Sequence, residues 1–66
     1  MGEQRDPRKD PRPGDVLRDE NGMQFVSEQG EAGVAFFRVG WKRPEWTTLG
    51  SWIAFSATDE VIHVAD

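Results

Sequence analysis

Asn21-Gly22 stands between two runs of strand-like composition, Gly14-Asp15-Val16-Leu17-Arg18-Asp19 and Met23-Gln24-Phe25-Val26-Ser27-Glu28. An Asn-Gly pair so flanked is the strongest short-range signal for an antiparallel hairpin, and in a chain this short it goes far towards fixing the architecture. Two registers compete. If Asn21-Gly22 alone turns the chain, Arg18 opposes Phe25 and Val16 opposes Ser27, mixing polar with apolar. If Glu20-Asn21-Gly22 forms a three-residue loop with Gly22 left-handed in a bulge, Leu17 opposes Phe25, Val16 opposes Val26 and Arg18 opposes Gln24. The second arrangement gains two apolar cross-strand pairs, each worth roughly 0.2–1 kcal/mol, and is the expected one.

The chain has 66 residues and no cysteine. That length allows one domain near the lower limit for an unaided core, and disulfides and thiolate metal sites cannot assist it. The apolar area has to come from Phe25, Phe36, Phe37, Phe55 and three tryptophans. The lack of cysteine suits a reducing cytoplasm. No run is long and apolar enough to suggest a membrane helix, and the start is charged and proline-rich, unlike a secretory signal. A soluble cytoplasmic protein is expected.

Charge is unevenly spread. Residues 1–13 carry four cations against three acids, whereas residues 14–66 carry four cations against nine acids. So acidic a body is a poor match for a phosphate backbone, which disfavours nucleic acid as a partner.

Residues 1–13 contain a near-repeat, Asp6-Pro7-Arg8 and Asp10-Pro11-Arg12, and then Pro13. Three prolines among charged neighbours read as an extended, mobile arm, leaving residues 14–66 as the folded domain. Gln29-Gly30-Glu31-Ala32-Gly33 is a turn. Val34-Ala35-Phe36-Phe37-Arg38-Val39 is the strongest strand, with Ala35, Phe37, Val39 and Trp41 on one side and Val34, Phe36 and Arg38 on the other. With both sides largely apolar, it is expected to be the central strand. A loop from Gly40 to Glu45 leads to a short strand at Trp46-Thr47-Thr48. The stretch Leu49 to Ser56 reads either as a strand or as a short helix capped by Thr48. Its low β-branched content favours one or two helical turns, against which Gly50 counts. Glu60 to Ala65 closes the chain as a last strand, with Ile62 and Val64 inward and His63 outward with Val61.

The order strand, strand, strand, strand, short helix, strand leads to an all-β fold. The expected form is a small five-stranded antiparallel SH3-like barrel with a helical turn before its last strand, because rolling the sheet buries the aromatics and removes its edges. Pro13-Gly14-Asp15-Val16-Leu17-Arg18, together with Thr48-Leu49-x-x-Trp52-x-x-Phe55, resembles small phage and prophage-type proteins. Those proteins open on a Pro-Gly-Asp-Val strand and carry a short Ser/Thr-Leu-x-x-aromatic-x-x-Trp segment near the end, whose two aromatic positions are Trp52 and Phe55 here. The resemblance spans residues 11–57 and implies a compact barrel of phage origin; its motifs are structural, and no activity comes with it.

Catalytic constellations are thin. His63 is the single histidine, and Ser27, Ser51 and Ser56 have no nucleophile-elbow context, so no catalytic residue is assigned. Asp59-Glu60-x-x-His63 would place Glu60 and His63 on opposite faces of a strand, and Asp19-Glu20-Asn21-Gly22 lacks the spacing of a calcium loop. No metal and no cofactor are expected.

What remains is the segment Arg38 to Trp46, in which Arg38, Trp41, Lys42, Arg43 and Trp46 combine two indoles with the densest cationic cluster of residues 14–66. The indoles could be core. They could anchor a protein contact, for which tryptophan and arginine are the enriched residues. They could also stack bases while Lys42 and Arg43 hold phosphates. The acidity of the domain favours the protein contact. The expected function is therefore a non-enzymatic protein-binding module, in its more specific form a phage-encoded modulator of a host protein. Single-stranded nucleic-acid binding and a structural role in a larger assembly are the alternatives.

Overall fold

Gly14 turns the chain into its first strand through a bulge. Its N–H donates to the Val26 carbonyl at 3.0 Å, while the Val26 N–H donates to the Asp15 carbonyl at 3.0 Å. Two successive residues thus oppose one, and Gly14 takes the positive φ, +95°, that the first position of such a bulge requires. In the computed structural model, which describes residues 5–65, the chain then runs through β1 (Val16–Asp19), β2 (Gly22–Gly30), β3 (Gly33–Arg38), β4 (Glu45–Thr47), α1 (Leu49–Ser56) and β5 (Glu60–His63). The strands form one antiparallel sheet in the order β4-β3-β2-β1-β5. The sheet does not close. β4 and β5 are its two edges and do not pair with each other.

The first hairpin adopts neither expected register. Asp19 pairs with Gly22, Arg18 with Met23, Leu17 with Gln24 and Val16 with Phe25, so Glu20-Asn21 is the two-residue connection. Gly22 does have positive φ, +119°, but the bulge sits at Gly14 instead. The pairing makes sense from the burial of the ends. It puts Leu17, Gln24 and Val26 on the inner face, where all three are buried, and places Asp19 there for an ion pair described below. β2 rather than β3 is the middle strand, although β3 is the more buried, with every residue from Gly33 to Phe36 enclosed.

The inner face packs against α1. Thr48 caps this helix by accepting from the Ser51 N–H at 3.1 Å, which satisfies one of its free donors. Trp52 is completely buried and meets Phe36 edge-on at 5.4 Å, with Leu17, Val26 and Val34 completing the core. Phe55 lies 5.5 Å from Phe36 and 5.3 Å from Trp52 while staying partly exposed. In β5 the inward residue is Val61, which packs on the core; Ile62 is exposed, the reverse of the alternation expected. Val61 faces inward because it pairs with the buried Leu17, and a register shift against β1 follows, between Leu17–Val61 and Val16–His63.

The segment expected as an extended arm is folded onto this core from Arg5 onward; residues 1–4 lie outside the described residues. Pro7 and Pro11 are fully buried. The carbonyl of Pro7 accepts the Trp52 indole N–H at 2.9 Å, and the Ser56 hydroxyl reaches the carbonyl of Arg8 at 3.1 Å. The near-repeat has a structural meaning. In each copy a buried proline is flanked by an outward pair, Asp6 with Arg8 and Asp10 with Arg12. Arg5 grips the buried carboxylate of Asp15 with two hydrogen bonds, at 2.5 and 2.9 Å, and also reaches the Ala65 carbonyl at 2.7 Å. The backbone N–H groups of Arg12 and Ala65 donate to the same carboxylate, each at 2.7 Å. Burial pushes the Asp15 carboxyl up, but these four donors outweigh it and hold it below the usual carboxylate range. One side chain thus ties both ends of the described chain to the start of β1.

Candidate functional site

Between β3 and β4 the chain reverses through Arg38-Val39-Gly40-Trp41, where the Trp41 N–H donates to the Arg38 carbonyl at 3.0 Å. Gly40 has φ +95°, the conformation that favours glycine at the third position of such a turn. The reversal folds Trp41 back onto Phe36 at 5.7 Å, with its ring tilted, and leaves it 40% exposed. Trp46 lies on the edge strand β4, opposite Ala35, and is 52% exposed. Both indoles are therefore at the surface, and the core tryptophan is Trp52.

Phe37, Trp41, Lys42, Arg43 and Pro44 line an open recess of about 220 Å³. Its lining combines two aromatic rings and a proline with two adjacent cations. Their setting is unusual within the molecule. Arg5, Arg8, Arg12, Arg18 and Arg38 each pair with a carboxylate: Asp15, Asp6, Asp10, Glu60 and Asp19 respectively. Among the described residues, Lys9, Lys42 and Arg43 have no such partner in a chain with twelve acids and eight cations, and only Lys42 and Arg43 are adjacent.

Arg38 does not join them. Its guanidinium makes two parallel hydrogen bonds to Asp19 on the inner face, Nη1 to Oδ1 at 2.9 Å and Nη2 to Oδ2 at 2.7 Å. The Arg38 hydrogen bonds hold the Asp19 carboxyl below its ordinary range, and Asp19 in turn raises Arg38. Beside this pair lies a second carboxylate. The buried Gln24 side chain donates from Nε2 to Asp59 Oδ2 at 2.6 Å and to Asp19 Oδ2 at 3.3 Å, while its Oε1 has no partner. Burial, followed by repulsion from Asp19, pushes the Asp59 carboxyl up.

The three serines considered as nucleophiles are turned to structural contacts: Ser27 to the Ala35 carbonyl, Ser51 to Thr48, and Ser56 to the carbonyls of Trp52 and Arg8. His63 is exposed and lies opposite Val16.

Sequence reasoning placed Trp41, Lys42, Arg43 and Trp46 in one region, and the structure brings the first three around a common recess. Phe37 and Pro44 were missed. Alternation along the strand could not place Phe37 beside Trp41, because the turn after Arg38 breaks it and folds Trp41 back onto Phe36. No protein family, curated protein or solved structure matches this chain.

Proposed function

We propose that this protein is a non-enzymatic module that binds another protein through the loop from Trp41 to Trp46. The observation that carries the reading is the pairing pattern of the cations. Five arginines are each paired with a carboxylate, whereas among the described residues Lys42 and Arg43 stand unpaired side by side at an aromatic recess; Lys9, the third cation without a carboxylate partner, lies at a different recess with Asp6 and Arg8. An exposed indole next to an unpaired arginine is the composition of an interaction hot spot. The strand order, with a helix between β4 and β5, supports an SH3-like topology left open at its edges. The chain has no tyrosine, so the tyrosine-lined groove of proline-recognising SH3 domains is not part of the proposal. The resemblance to phage-type proteins makes a host protein the preferred partner.

The test is affinity capture from the native host with the full chain and with Trp46→Ala and a Lys42→Glu/Arg43→Glu double variant. All three should show the same cooperative melt, and the variants should lose the partner. Retention of every captured protein by folded variants refutes the loop as the contact. The exposed Trp41 beside two cations also supports single-stranded nucleic acid as a second reading. Binding of oligothymidylate that falls steeply with salt and disappears in the double variant would establish it.

A further inference from the structure

On the side of the sheet away from α1, a row of apolar residues crosses three strands among the polar positions Arg18, Glu28, Glu60 and His63. Val16 pairs with Phe25, and Phe25 with Phe37. Their chain neighbours Leu17, Val26 and Phe36 point into the core, so this row lies on the opposite side. The Phe25 and Phe37 rings stack at 5.1 Å and 18°, and both residues are half-buried. A solvent-facing side of an antiparallel sheet is ordinarily polar, and a contiguous apolar row there marks an interaction surface. The row does not stop at β3. Phe37 is also a wall of the recess with Trp41 and Pro44, so row and recess form one continuous surface with Lys42 and Arg43 at one end.

Resting on the protein-binding reading above, we propose that this surface takes an extended acidic segment of the partner. Apolar side chains at alternate positions would lie in the recess and along Phe37, Phe25 and Val16, with a carboxylate against Lys42 and Arg43. The spacing suits such a ligand. Two strand intervals at about 4.8 Å put Val16 and Phe37 roughly 10 Å apart, close to three residues of extended chain, and alternate side chains of that chain share one face. The charge chooses the occupant. The far end of the row carries His63 and Arg18, and the carboxylate there, Glu60, is already held by Arg18. A second copy packed face to face would therefore offer Lys42 and Arg43 no free acid at that end. Nucleic acid would need a track of cations, whereas this face has Lys42 and Arg43 at one end and at the other only Arg18, already paired with Glu60.

The experiment is a backbone amide NMR titration of the full chain. The probes are a synthetic peptide alternating aspartate with phenylalanine, its lysine counterpart and oligothymidylate. The acidic peptide should move Val16, Phe25, Phe37, Trp41 and Lys42 together. Its affinity should drop with salt and fall by about tenfold in Lys42→Glu/Arg43→Glu, whose exposed positions leave folding intact. Phe25→Thr, which keeps a strand-forming residue, should weaken it as well, and the charge variant decides the matter if Phe25→Thr unfolds. Shifts confined to Trp41–Trp46 overturn this inference and leave the protein-binding loop standing. Equal binding of the lysine peptide overturns the acidic partner, and preferential binding of oligothymidylate overturns both readings. Concentration-dependent self-association that broadens the Val16–Phe37 row replaces the partner with a second copy. No shift at millimolar acidic peptide also overturns the inference.

Discussion

The indole N–H of Trp52 donates to the carbonyl of Pro7 at 2.9 Å, across 45 residues of chain. Trp52 is the largest fully buried side chain, so the hydrogen bond that completes it comes from a segment that composition alone would leave in solvent. A buried indole N–H without an acceptor costs about 1–3 kcal/mol, and removing the arm would also uncover the apolar area now under Pro7 and Pro11. A chain lacking residues 1–13 is therefore expected to lose its cooperative melt. A truncated protein that melts at the parent temperature, followed by circular dichroism, would show the arm to be dispensable.

Asp15 leads to a second expectation. Its carboxylate is buried, receives Arg5 in a two-point contact, and joins the backbone at Arg12 and Ala65. Taking one partner from a buried pair costs roughly 3–5 kcal/mol, which is comparable to what a core of this size supplies. Asp15→Asn is expected to be largely unfolded at room temperature. The folded-state carboxyl titrates below its unfolded value, so its stabilisation is present at neutral pH and is lost as pH falls through the lowered value. Acid titration of the parent should accordingly end in unfolding, and a fold that persists in strong acid would contradict this role.

Asp59 works in the opposite sense. Burial and the neighbouring Asp19 raise its carboxyl, with Gln24, Arg38 and Arg8 offsetting only part of the effect. A raised folded-state value means that the contribution of this group is most favourable in acid and is lost as pH rises through that value. Asp59→Asn keeps the shape and an acceptor for Gln24 Nε2, and it removes the charge. It should melt higher than the parent at neutral pH, with the difference shrinking towards the acid side of the ordinary carboxylate range. Equal melting temperatures at neutral pH would mean that the charge is adequately compensated.

The order of elements was legible in the sequence because each carries a local signal: the glycine-bounded turns, the Val34–Val39 run, and Thr48 at the helix cap. The capped segment reads as a helix because its cap bond, from Ser51 to Thr48, is local. What escaped was set at a distance. The register of the first hairpin depends on Leu17 and Val26 joining Trp52 in the core, on Gln24 reaching Asp59, and on Asp19 reaching Arg38. Cross-strand pair preferences alone therefore chose wrongly. Arg38 looked like a member of the cationic loop for the same reason, since its partner lies 19 positions earlier. The buried prolines read as an arm because proline and charge signal exposure until a carbonyl finds a tryptophan. At the site, Trp41, Lys42 and Arg43 were visible as a composition, whereas the contribution of Phe37 needed the turn after Arg38.

Two glycines separate conformational need from mere presence. Gly33 has φ +122° where the β2–β3 turn ends, and a Cβ there would stand 2.1 Å from the Thr47 carbonyl oxygen. Neither the backbone conformation nor the approach of β4 leaves room for a side chain, so Gly33→Ala should displace β4 and cost more than the roughly 1 kcal/mol of a positive-φ alanine alone. Gly50 lies in the first turn of α1 with nothing within 4 Å of a Cβ and no positive φ. Alanine there loses less backbone entropy on folding and should stabilise the protein by about 0.5–1 kcal/mol. Denaturant melts of the two variants should move the midpoint in opposite directions. A Gly33→Ala midpoint at or above the parent would mean that β4 yields easily and that Trp46 is carried on a strand held less firmly than its pairing with Ala35 implies.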